Sequence, residues 1–189
     1  MGKSKLRALA MASLIFTTLS AATPNPDANG KLNVMYERAL DDDMQELADA
    51  IRDTKIFDEM ALGLSETLLL PRDMNVVFRN CGQPNAFYDP GRTEIVMCYE
   101  LVEMFTETFV KDGASDEEVG ENLVGTTMFF FLHELGHGLV HQLDLPITGR
   151  EEDAVDQLAA MMLLDGGWED DDQGMLLLSG AAIQFGELA

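Results

Sequence analysis

The sequence predicts an α+β domain, mainly helical, with one small β-hairpin or sheet. Three observations carry this. Apolar residues recur at helical spacing over 34–69, 116–143 and 150–164. Two short runs rich in apolar and β-branched residues, 74–80 and 93–99, flank the turn signal Asp89-Pro90-Gly91. Cys81 and Cys98, the only two cysteines, stand where such a hairpin would bring them together. With 47% hydrophobic residues and ten Phe in 189 positions, the chain can bury a core, which excludes an intrinsically disordered protein. The length supports one domain, and no internal repeat points to a solenoid.

Taken in order, residues 1–22 read as a secretory signal. Lys3, Lys5 and Arg7 precede the apolar run Ala8 to Leu19, and Ser20, Ala21 and Ala22 offer a small-residue cleavage site. The rival reading is an uncleaved anchor, but the run is short of the roughly 20 residues a membrane span needs. Residues 23–34 are expected to be a flexible mature N-terminus, and 35–189 a single domain. From 34 to 69, Leu40, Met44, Leu47, Ala48 and Ile51 give one amphipathic stripe, continued less cleanly by Ile56, Met60, Leu62, Leu64 and Leu68 until Pro71 ends it. Strands follow at 74–80 and 93–99, and the chain between them can extend the sheet. A helix over 100–110, a loop over 111–115 and a long buried helix over 116–143 come next. Leu145 to Gly149 is a turn, 150–164 is helical, Gly166-Gly167 breaks that helix, and 175–185 forms a last one. In an oxidising compartment Cys81 and Cys98 can pair, and closing that loop stabilises by about 3 kcal/mol. Two buried free thiols are the alternative.

Lys+Arg number 12 against 34 Asp+Glu, a net charge of −22. Phosphate backbones and anionic membrane surfaces would be repelled, so no nucleic-acid partner is expected. The runs Asp41–Asp43 and Glu169–Asp172 read as solvated surface and lack the spacing of a calcium loop.

The chemistry is concentrated in His133-Glu134-Leu135-Gly136-His137, inside the long apolar helix. Histidines four apart share a helix face, and both can reach one tetrahedral Zn²⁺ at about 2.0–2.1 Å. Glu134 sits beside the metal without ligating it and can take a proton from the attacking water. A catalytic zinc needs a third protein ligand. After the turn, Glu152 and Asp156 share one face of the next helix. The earlier acid can swing onto the metal, and the later can accept the outer N–H of a ligand histidine. Glu151 and Asp153 are expected at the surface. His141 is too far along the helix to share the zinc and is expected to pack, to face solvent or to line the cleft.

This pattern resembles the gluzincin clan of zinc peptidases, with His-Glu-x-x-His followed by Glu-x-x-x-Asp. The resemblance implies a zincin-like domain in which His133, His137 and Glu152 bind zinc and Asp156 orients a ligand histidine, His133. Asn85-Ala86-Phe87-Tyr88 is similar to the substrate-binding edge strand of thermolysin-like peptidases, which implies that Asn85 and Ala86 hold a peptide. Cys81–Pro90, Cys98–Leu101, His133–His137 and Gly149–Gln157 together resemble an exported bacterial domain family of unknown function, described as "putative metallopeptidase". One departure stands out. Gluzincins take a Tyr or His from a later segment to stabilise the oxyanion, and no Tyr or His follows His141. Tyr88, Tyr99, His141 or the zinc alone would have to serve.

The function expected is that of a periplasmic or secreted zinc metalloendopeptidase, with one Zn²⁺ per chain, Glu134 as general base and a peptide or protein as substrate. The alternatives are a non-catalytic exported zinc- or peptide-binding protein and a small-molecule metallohydrolase.

Overall fold

A computed structural model describes residues 30–164. The expected signal peptide, the run Glu169–Asp172, the Gly166-Gly167 break and the expected last helix lie outside the described residues. Strand β1 (Leu32–Tyr36) is followed by helices α1 (Asp42–Thr54) and α2 (Ile56–Thr67) and strand β2 (Met74–Arg79). Strands β3 (Ala86–Asp89) and β4 (Glu94–Cys98) lead into helices α3 (Tyr99–Lys111), α4 (Asp116–Leu143) and α5 (Glu151–Leu164). The α+β class therefore holds, with five helices and one four-stranded sheet among the described residues. None of these helices is long and apolar enough to cross a membrane.

The sheet runs β1-β2-β4-β3, with β3 antiparallel at one edge and the other neighbours parallel. Alternation across the pleat divides the core in two. Met74, Val76, Phe78, Ile95 and Met97 face a core shared with α1, α2, α4 and α5. Val96 and Cys98 face the opposite way, onto Leu101, Phe105 and Phe109 of α3. Strand β4 is thus buried along its whole length, which explains its uninterrupted apolar run.

Three expectations are corrected. The helical region does not begin at 34, and the chain joins the fold before 34. Gly30 bridges Leu70, and 32–36 form β1 beside β2. The signal was the alternation Leu32-Val34-Tyr36, masked by the helical stripe that follows it. That stripe is itself two helices, because Lys55 takes a left-handed conformation (φ 61°) that ends α1 and starts α2. Asp41–Asp43 is exposed, as expected, and Asp41 also caps α1 by accepting from the Met44 N–H at 2.9 Å. Lastly, β2 and β4 are not the arms of a hairpin. They are parallel neighbours, and the hairpin at Asp89–Thr93 joins β3 to β4. Both apolar runs need two covered faces, so the half-buried β3 takes the edge.

Cys81 and Cys98 are joined nonetheless. Register explains this: Arg79 pairs with Cys98, so the loop just past β2 lies against the end of β4. The Glu100 carboxylate organises that loop, accepting from the N–H groups of Cys81 (3.0 Å) and Gly82 (2.8 Å) and from Asn80 Nδ2 (3.2 Å). Burial would raise its carboxyl, but these bonds and its own backbone N–H outweigh that and hold it below the usual glutamate range. A depressed carboxyl contributes stability above its unfolded pKa and loses it as pH falls through the folded value. Glu100→Ala should therefore cost about 1.5–3 kcal/mol at neutral pH. The gap from wild type should narrow in acid, as urea unfolding at the two pH values would show.

Candidate metal centre

The site is built on two helices that fold back on each other. Helix α4 opens with a capping box, the Ser115 hydroxyl taking the Glu118 N–H while Glu118 takes the Ser115 N–H. It closes at Asp144, whose left-handed conformation (φ 49°) turns the chain back. Helix α5 then packs along α4 at very close range. A Cβ on Gly136 would lie 2.8 Å from both Cβ and Cγ1 of Val155, so only glycine permits this approach. Glycine inside a helix costs about 1 kcal/mol against alanine. The close contact offsets that by bringing the acids at the start of α5 onto the α4 histidines.

His133 and His137 stand one turn apart with their Nε2 atoms 3.2 Å from each other. Glu152 Oε2 lies 3.3 Å from His133 Nε2 and 3.5 Å from His137 Nε2. Three ligands about 2.0–2.1 Å from one tetrahedral ion would be separated by roughly 3.3–3.4 Å. The outer nitrogens are held by carboxylates: His133 Nδ1 is 2.7 Å from Asp156 Oδ1, and His137 Nδ1 is 2.7 Å from Glu151 Oε1. Each Nδ1–H donates to its acid, so both Nε2 lone pairs converge with the Glu152 oxygen on one point. Three electron-rich atoms this close repel one another unless a cation lies between them, and the donor set therefore fits a bound metal. The same field acts on His137. Burial lowers its affinity for a proton, but the Glu151 hydrogen bond and the charges of Glu134, Glu152 and Glu151 outweigh that and raise its pKa.

Glu134 is buried, 7% exposed, beside this triangle but outside it. Burial holds its carboxyl above the usual range, and the neighbouring histidines and a hydrogen bond from the Tyr88 backbone N–H offset this only in part. A cleft of about 490 Å³ opens over His133, Glu134, His137, His141, Glu151 and Glu152, with Phe87, Tyr88 and Pro90 forming its far wall. That wall is the sheet edge. Asn85 and Ala86 lie at its start: the Asn85 carbonyl accepts from the Cys98 N–H at 3.1 Å, and Ala86 pairs with Met97. From this strand and its turn, Phe87, Tyr88 and Pro90 line the cleft.

The structure thus brings His133, His137, Glu152, Asp156 and Glu134 into one site. Glu151 is exposed, as expected, but it also stands behind His137, a contact its spacing did not announce. Antiparallel order explains the contact. Residues nearer the start of α5 lie beside later residues of α4, so Asp156 meets the earlier histidine and Glu151 the later one. Asp153, by contrast, makes only an exposed pair with Arg150 at 4.0 Å. Gly136 was also missed, since it is one of four glycines in α4 and nothing in the sequence marks it as the one against α5. One other candidate group among the described residues, Cys81, Cys98 and Glu100, has its sulfurs committed to the disulfide.

Gly136→Ala should push α5 away from α4 and separate Glu152 from the histidines. Overpacking of this kind costs about 1–3 kcal/mol. Zinc affinity should fall further than thermal stability, which parallel chelator-competition and melting measurements would resolve.

A family model described as "Putative metallopeptidase" matches residues 36–186. No curated protein and no solved structure matches the chain.

Proposed function

The chain belongs to that putative metallopeptidase family, and from this premise we propose that it is an exported zinc-dependent peptidase of the gluzincin pattern. The observation that carries the reading is the triangle of His133 Nε2, His137 Nε2 and Glu152 Oε2, with sides of 3.2, 3.3 and 3.5 Å. Two imidazoles and one carboxylate at tetrahedral spacing suit zinc better than the harder, higher-coordinate calcium or magnesium. Bound there, zinc supplies the Lewis acidity that polarises a carbonyl and makes water acidic.

The chain's own residues do the rest. Asp156 and Glu151 hold the two imidazoles in the tautomer that leaves Nε2 free. Glu134 takes the proton from the attacking water at its carboxylate and passes it to the departing amine nitrogen. The edge strand offers a peptide a place as an added strand. Cys98 N–H donates to the Asn85 carbonyl, so Asn85 and Phe87 turn their backbone groups toward β4. The groups of Ala86 and Tyr88 then face the open edge. The Tyr88 N–H is used by Glu134, which leaves the Ala86 backbone for substrate, beside Asn85. The disulfide between Cys81 and Cys98 suits export to an oxidising compartment.

The test is digestion of a diverse peptide mixture by the zinc-loaded protein. Cleavage should stop on chelation and return with zinc. A folded, zinc-loaded chain that cuts nothing would overturn the peptidase reading in favour of a zinc- or peptide-binding role.

A further inference from the structure

A peptide entering the cleft meets charge of one sign. Glu134, Glu151 and Glu152 line it, and no Lys or Arg does. Asp156 stands close by, on His133. A zinc ion brings two positive charges against these four carboxylates, and the histidines, bound as neutral imidazoles, bring none. The loaded site therefore stays negative. The neighbouring arginines do not reverse this. Arg150 pairs with Asp153, and Arg92 with the buried Glu94. Arg72 acts on Tyr88, on the far wall, and one charge there leaves the balance negative. The whole chain carries −22, so its field has the same sign. A cleft with low-dielectric walls concentrates such a field and draws in ligands of opposite charge.

The four acids are not equally available to a ligand. Glu152 is given to the metal. Glu134 is buried, accepts the Tyr88 N–H and serves the proton. Asp156 is turned to His133 and does not line the cleft. Glu151 differs. Its side chain is 44% exposed, and one oxygen, Oε1, takes the His137 Nδ1–H at 2.7 Å. Among the described residues the other oxygen has no partner. An ionised carboxylate accepts at both oxygens, so the second can take a substrate donor while the first keeps the ring in place. Nδ1 and Nε2 lie on opposite sides of the imidazole, so a whole ring separates this carboxylate from the metal's positive charge.

We propose, resting on the peptidase reading, that the protein selects cationic peptides and that Glu151 is a specificity-determining residue whose free oxygen receives the substrate's positive charge. That charge is a Lys or Arg side chain beside the scissile bond, or the peptide's own amino terminus. Both present charged N–H donors to the same oxygen. Acidic peptides are turned away by the same field. Glu151 thus holds a ligand histidine with one oxygen and reads the substrate with the other.

The experiment uses peptides built on a sequence that the wild type cleaves. One set is acetylated and carries Lys, norleucine or Glu at each position flanking the bond in turn. A second set is uncharged, with the amino terminus free or acetylated. Wild type and Glu151→Gln are compared in kcat/KM. Affinities for the same peptides are measured on the zinc-loaded Glu134→Gln protein, with and without Glu151→Gln. Glutamine keeps an oxygen for the His137 Nδ1–H and removes the charge. Each preference is a ratio within one preparation, so a lower zinc content cancels from it. Wild type should favour Lys over norleucine about tenfold at low salt, and less as salt rises. Glu151→Gln should cut that preference about two- to fivefold, the worth of one half-exposed ion pair. Preference in the first set assigns the side chain, and preference for a free amine in the second assigns the amino terminus. No preference in either set overturns the proposal. A preference that Glu151→Gln leaves unchanged overturns the role of Glu151. The wild-type ratios and their salt dependence decide the selectivity even where the variant fails to fold. A wild type that cleaves nothing overturns the peptidase reading; the selectivity is then read as affinity of the zinc-loaded chain for random-sequence Lys and norleucine peptides, and equal binding overturns it as well.

Discussion

Replacing Glu134 by glutamine should lower peptide hydrolysis by about 10²–10⁴-fold, the range for loss of a general acid–base group. The substitution is nearly isosteric, and the amide oxygen can still accept the Tyr88 N–H that Glu134 accepts now. What it cannot do is take a proton from water. Glu134 also stands outside the ligand triangle of His133, His137 and Glu152. Zinc should therefore remain at the wild-type amount while turnover disappears, as kinetics and elemental analysis of one preparation would show. Lost zinc would make Glu134 a ligand; a lost fold would make it structural. Full activity without it would mean that another group moves the proton.

The second large effect concerns the carboxylates behind the histidines. Glu151→Ala and Asp156→Ala should each weaken zinc binding by about 10–100-fold, the usual result of removing a ligand's outer partner. Each acid sits 2.7 Å from the Nδ1 of one histidine. It selects the tautomer that leaves Nε2 free and raises the basicity of the ring. Because the two contacts have equal length, the losses should be comparable. Asp153→Ala, altering the exposed pair with Arg150, should leave affinity unchanged and serves as the control. Competition with a chromophoric chelator reads all three. A Glu151 variant with wild-type affinity would show that this contact does not hold the ring for the metal.

How much of this was legible in the sequence depended on whether a feature was local. Helices α4 and α5 announce themselves by period, caps and the turn between them, and spacing was enough to single out His133, Glu134, His137, Glu152 and Asp156 on their facing sides. The Cys81–Cys98 bond was legible too, although for a hairpin that does not exist. Parallel pairing of β2 with β4 is a long-range choice, made because both strands need two covered faces, and the turn at Pro90-Gly91 pointed instead to the nearest antiparallel solution. Strand β1 lay hidden because a five-residue alternation is weak beside a long helical stripe. Glu151 and Gly136 depend on how closely, and in which direction, one helix lies on another. No single-helix pattern encodes that.

The most direct test of the account is a zinc titration of the purified protein against a competing chelator, run beside the His133→Ala/His137→Ala double variant. One tightly held zinc is expected per wild-type chain and none on the double variant. A wild type that holds no zinc, or a double variant that holds it as tightly, would contradict the metal centre and the hydrolytic chemistry that depends on it.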